Sequence, residues 1–96
     1  MAVAFLHEFS EVTQEQYDQV MEKLARNGIT SKGRIFHVAG PMEAGMEVGW
    51  RIVDVWESQE AFDAFIQQAA PILQEGEMWP PDFSKNWPVH NLLKEA

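Results

Sequence analysis

The 96-residue chain has no cysteine, which excludes disulfides and thiolate metal sites. It is short of positive charge: seven Lys and Arg stand against fifteen Asp and Glu, a formal net charge of −8. That balance repels phosphate backbones, and no Lys/Arg cluster reverses it locally, so nucleic acid is not an expected partner. Its apolar runs are too short to span a bilayer, so no membrane association is expected. The opening "MAVAFLHEF" lacks the basic and long apolar stretches of a secretory signal. The default expectation is a soluble cytoplasmic protein. Gly-rich phosphate loops, the G-x-S-x-G elbow and the HxH and HExxH spacings are also missing. The three histidines, His7, His37 and His90, fall on three different predicted strands, so no metal is expected.

Large apolar side chains, by contrast, are plentiful. Four Trp, six Phe and five Met contribute to a chain that is 46% hydrophobic. A single domain over residues 1–96 has a small core, and this is more than it readily hides. A ligand pocket or a partner subunit accounts for the surplus.

Periodicity gives six elements. Residues 2–9 alternate as a strand, with Val3, Phe5, His7 and Phe9 on one side. A short turn over 10–12 follows. Thr13 and Gln16 form a capping box ahead of a helix whose apolar stripe is Tyr17, Val20, Met21 and Leu24. Asn27-Gly28 stops it. "RIFHVAG" reads as a second strand, "GPMEAG" as a hairpin loop and "MEVGWRIVDVW" as a third strand. Ser58 caps a second helix bearing Phe62, Phe65, Ile66, Ala69 and Leu73 on one face. Pro71 predicts a kink or break near residues 67–71. The tail, roughly "FSKNWPVHNLL", reads as a last strand that Pro88 confines to an edge or a bulge.

The order β-α-β-β-α-β is the ferredoxin-like split βαβ arrangement, an α+β fold with a four-stranded antiparallel sheet and both helices on one face. The other face should be polar, yet neither parity of the first or third strand is consistently so. A second copy of the chain, packed face to face, is the economical cover, and a homodimer is expected.

The strand-to-helix join "GWRIVDVWESQEAFDAF" and the ending "WPVHNLL", taken with the element order, resemble the antibiotic biosynthesis monooxygenase-like domains of the dimeric α/β-barrel superfamily. The resemblance covers nearly the whole chain. It implies a dimeric barrel and a hydrophobic, aromatic or polyketide-like small molecule as ligand. The implied reactions are several. Cofactor-independent monooxygenation comes first, proton-transfer chemistry such as cyclisation or isomerisation second, and a non-catalytic ligand-binding dimer remains open. In the haem-degrading branch the key positions are an Asn, a Trp and a haem-ligating His; His7, Phe65 and Glu75 stand there, so that route is not expected. A haem held otherwise, through His37 or His90, stays as an alternative. The quinone-forming branch works without metal or flavin, so no cofactor is expected.

The residues that could carry such chemistry follow. Asp54 is a carboxylate inside an apolar strand, on the side of Trp50 and Trp56, and must be paired, solvated in a cavity or protonated. It is either a proton acceptor or a structural partner of Arg34, Arg51 or a backbone amide. His37 and His90 are the candidate general bases. Trp50 and Trp56 are candidates for an aromatic box, with His7, Tyr17 and Phe65 as further ligand contacts; core packing is the plain alternative for each aromatic.

Overall fold

A computed structural model describes residues 1–93. Its elements are β1 (Val3–Thr13), α1 (Gln14–Arg26), β2 (Arg34–Pro41), β3 (Val48–Trp56), α2 (Gln59–Glu75) and β4 (Phe83–Pro88). The four strands form one antiparallel sheet in the order β2-β3-β1-β4. This is the ferredoxin-like arrangement expected from the sequence, with β4 at an edge, where Pro88 costs no ladder bond. No helix among the described residues is long and apolar enough to cross a membrane.

Local signals set the helix starts. The Thr13 side chain accepts from the Gln16 backbone N–H, and Gln16 returns a bond to the Thr13 N–H, closing the capping box. Ser58 accepts from the Ala61 N–H at the start of α2. Three expectations need correcting. Residues 10–12 are not a turn: β1 continues to Thr13 through an irregularity between Phe9 and Thr13. That irregularity turns Val12 into the core (2% exposed), where regular alternation from Phe9 would have placed Glu11. Pro71 does not break α2, which runs unbroken from Gln59 to Glu75. The carbonyl it deprives of a partner belongs to Gln67, on the exposed side of the helix, where it is open to solvent. The last strand stops at Pro88, leaving residues 89–93 outside the sheet.

The inner face of the sheet carries Phe5, His7, Phe9, Trp50, Ile52, Asp54 and Trp56, all buried under the helices. Val20 and Leu24 of α1 and Ala69 and Leu73 of α2 pack against Phe9, Trp50 and Ile52. Trp56, Phe5 and Phe62 form a second cluster. Trp56 is fully covered, and burial of a side chain that size stabilises the fold by about 3 kcal/mol.

The outer face is bare. Phe36, Val38, Phe83 and Trp87 are each between 41% and 49% exposed. Its main polar interruption is an ion pair, in which Arg51 Nε and Nη2 both donate to Glu8 Oε2.

Candidate functional site

The strand register brings the site together. His37 on β2 is the cross-strand partner of Asp54 on β3. His37 Nδ1 lies 2.5 Å from Asp54 Oδ1, and His37 Nε2 lies 2.6 Å from the Tyr17 hydroxyl of α1. With the carboxylate ionised and the imidazole neutral, Nδ1–H donates to Asp54, Nε2 presents its lone pair, and the Tyr17 O–H donates to it. Trp56 Nε1–H donates to the second oxygen of Asp54 at 3.4 Å. The buried carboxylate is thus answered by an imidazole and an indole, not by Arg34, Arg51 or a backbone amide. Burial pushes the Tyr17 phenol above its ordinary pKa; Arg34 opposes the shift, and Asp54 and Asp18 add to it. Tyr17 is therefore a neutral donor near pH 7.

His37 and Asp54 border an apolar cavity between the sheet and the helices. Its aromatic wall is Phe9, Phe62, Phe65 and Trp79, and Met21 and Met78 close it. About 50 Å³ is open. That is enough for solvent but less than the roughly 150 Å³ cavity known to hold benzene. An aromatic ligand enters only if the wall yields, and methionine side chains are the ones that adapt most readily.

Arg34 also lines this cavity. It sits 5.8 Å from the centre of the Trp56 ring and makes no ion pair among the described residues. Simple alternation would put Arg34 and His37, three residues apart, on opposite faces. A bulge between Arg34 and Phe36 places both inward, opposite Trp56 and Asp54. Period-2 reading therefore missed Arg34 as a site residue.

His7 lines the cavity from β1, with Nδ1 3.1 Å from Ser84 Oγ on β4. Burial lowers its pKa below the ordinary histidine value, and the Asp54 charge only partly opposes this. His7 also stacks on Phe62, ring centres 5.8 Å apart.

The sequence-derived candidates divide accordingly. Asp54, His37, His7 and Phe65 meet at the cavity, and Tyr17 touches it through His37. Trp50 and Trp56, expected as the box, do not line it; they pack in the two core clusters, Trp50 5.3 Å from the Tyr17 ring. His90 is exposed beyond β4 and joins none of these groups. Trp79 and Ser84, in the loop and strand after α2, carried no sequence signal of their own. Among the described residues no three His, Asp or Glu side chains are grouped to hold a metal ion.

No protein-family model matches the sequence, and no curated protein matches it significantly. Solved structures do. The chain is similar to SnoaB, a cofactor-independent oxygenase from Streptomyces nogalater, at 17% identity over 98% of each chain, TM-score 0.63. It is similar to a protein provisionally named an antibiotic biosynthesis monooxygenase from Chloroflexus aurantiacus, at 16% identity over 96% of this chain and 97% of that one, TM-score 0.66. A dimeric ferredoxin-like protein of unknown function from Thermobifida fusca matches at 16% identity over 93% and 92%, TM-score 0.56. The chain has the fold of the antibiotic biosynthesis monooxygenase-like domains.

Proposed function

We propose that this chain is a small oxygenase that removes a proton from a hydrophobic phenol or enol and lets the resulting anion react with dioxygen. One observation carries the reading: an imidazole held by a buried carboxylate reaches an apolar cavity that is also lined by a guanidinium with no ion pair among the described residues. Asp54 fixes the His37 tautomer and steadies the imidazolium that forms. Tyr17 Oη occupies the position on Nε2 that a substrate hydroxyl would take. Arg34 supplies positive charge beside the developing phenolate, and it does so in a site poor in water, where charge interactions are stronger. The fold likeness to a cofactor-independent oxygenase supports the choice of oxygen as the second reactant.

The reaction balances without an external reductant. A phenol with a free ring C–H gives a quinone: one atom of dioxygen becomes the new carbonyl oxygen, and the other leaves as water with the hydroxyl proton and the hydrogen of that ring carbon. The half-exposed Phe36, Val38, Phe83 and Trp87 of the outer face support a second copy of the chain as its cover, since apolar side chains gathered on one sheet face favour an interface.

The test is oxygen uptake with fused-ring phenols such as 1-naphthol, followed alongside quinone absorbance. Uptake equal to quinone formed, falling about a hundredfold or more in His37→Asn, supports the reading. Conversion without oxygen uptake assigns the site to proton-transfer chemistry instead. Binding with no conversion leaves a ligand-binding protein.

A further inference from the structure

One buried polar group has no part in that chemistry. His7 is only 6% exposed, and its Nε2 is shut off from solvent with no hydrogen-bond partner among the described residues. An unpartnered buried polar atom costs about 1–3 kcal/mol, so native proteins rarely keep one without a use. Trp50 Nε1 is a second such atom, but Trp50 does not line the cavity and has no route to a ligand. His7 does line it.

The surroundings of His7 define what its free nitrogen offers. Its sheet partner Ser84 sits at Nδ1, and the Ser84 hydroxyl rotates freely enough to donate there. An imidazole kept neutral by burial has one N–H. When Ser84 donates to Nδ1, that hydrogen lies on Nε2. Phe62 stacks on the ring, and Trp79 meets it edge-on at 6.0 Å, so the ring is fixed in place by aromatic contacts. His7 pairs with Ile52, and His37 pairs with Asp54, on the strands flanking β3 and two residues out of step. Strand spacing and rise put their α-carbons about 12 Å apart. The two imidazoles therefore approach one cavity from separate directions.

We propose that His7 is a specificity-determining residue: its Nε2–H, held in that tautomer by Ser84, donates to an acceptor oxygen, such as a ketone carbonyl, on a ligand whose hydroxyl lies toward His37. This rests on the proton-transfer reading of His37 for the ligand's orientation, but it concerns binding, not turnover. It makes the site selective for a hydroxylated ring that carries a carbonyl, because a same-sized hydrocarbon group leaves the buried N–H unpaired.

Two probes of matched shape test it: 4-hydroxyacetophenone, and 4-isopropylphenol, which replaces the carbonyl with a hydrocarbon branch. Their Kd values are measured by calorimetry on the wild type, His7→Leu and Ser84→Ala. The expected result is that the ratio favouring the ketone falls about tenfold in His7→Leu and by a smaller factor in Ser84→Ala. Nitrogen-15 NMR of the wild type should find the hydrogen of His7 on Nε2, and that resonance should move with 4-hydroxyacetophenone but not with 4-isopropylphenol. An unchanged ratio in His7→Leu, failure of both probes to bind, or the hydrogen on Nδ1 in the free protein overturns the proposal. If His7→Leu does not fold, the Ser84→Ala ratio and the wild-type NMR decide by the same criteria. Discrimination through His7 in a protein that consumes no oxygen overturns the oxygenase reading alone; oxygen uptake with an unchanged ratio overturns the His7 assignment alone.

Discussion

His37 and Asp54 face each other across β2 and β3 with Nδ1 and Oδ1 2.5 Å apart, and that bond settles how a buried carboxylate is tolerated in an apolar strand. It also makes the pair separable by mutation. Asp54→Asn keeps the shape and an acceptor for the His37 N–H but removes the charge that steadies an imidazolium. Turnover should fall about a hundredfold, with the melting temperature shifting by a few degrees at most. A folded Asp54→Asn protein with full turnover would remove Asp54 from the chemistry.

Tyr17 has a different part. Tyr17→Phe deletes the hydroxyl on His37 Nε2 but keeps the ring stacked beside His37, centres 6.1 Å apart. About 1 kcal/mol of stability should go with the hydrogen bond. Turnover should stay within tenfold of the wild type, because a substrate hydroxyl takes the vacated place. A hundredfold loss in steady-state assays would instead make Tyr17 a working member of the proton path.

Arg34 is expected to act on the anion. Arg34→Met keeps much of the stem over Trp56 and removes the charge. The rate should drop by one to two orders of magnitude, with a smaller change in KM, since the charge it meets develops during reaction. Equal loss in binding and rate would mean that Arg34 merely holds the ground-state ligand.

Acid stability should report on His7. Its folded pKa lies below its unfolded one, so the unfolded chain takes up the proton first as pH falls. The stability from keeping His7 neutral is fully present above about pH 6.5 and declines below that, down to the folded pKa. Melting temperatures should therefore fall from pH 7 to pH 5, and His7→Leu should flatten the slope. Asp82 works in a lower window: hydrogen bonds from the Ser10 backbone and hydroxyl lower its pKa, so its contribution is lost only as pH falls through the acid carboxylate range. An identical slope in His7→Leu between pH 7 and pH 5 would rule His7 out as the source.

Assembly can be read by light scattering. A mass about twice 11.0 kDa is expected at micromolar concentration. Trp87→Lys or Phe36→Lys puts a charge on the bare outer face and should shift the protein toward monomer. A wild-type monomer would leave that face without the proposed partner.

Much of this was legible in the sequence. The capping box at Thr13 and Gln16, the stop at Asn27-Gly28 and the six-element order depend on neighbours a few residues apart, which the chain states directly. Side-chain alternation placed Trp50, Ile52, Asp54 and Trp56 on one face, and Phe5, His7 and Phe9 on one face, because a regular strand has period two. Alternation does not say which strands are neighbours or how far each is slid. That register made His37, and not Arg34, the partner of Asp54, set Ser84 beside His7, and left His90 outside the site. Bulges are invisible to a periodic reading as well: one extra residue, Ile35, reverses the face of Arg34, and the irregularity after Phe9 carries Val12 inward. Helix cover decided the rest. Trp50 and Trp56 point the expected way, but the packing of α1 and α2 buried them in the core and left Phe62, Phe65 and Trp79 to wall the cavity. The sequence by itself determined the elements and their inward faces, since these follow from local propensity and period. Only the tertiary structure decided which inward groups meet, since that depends on long-range register and on what fills the space above them.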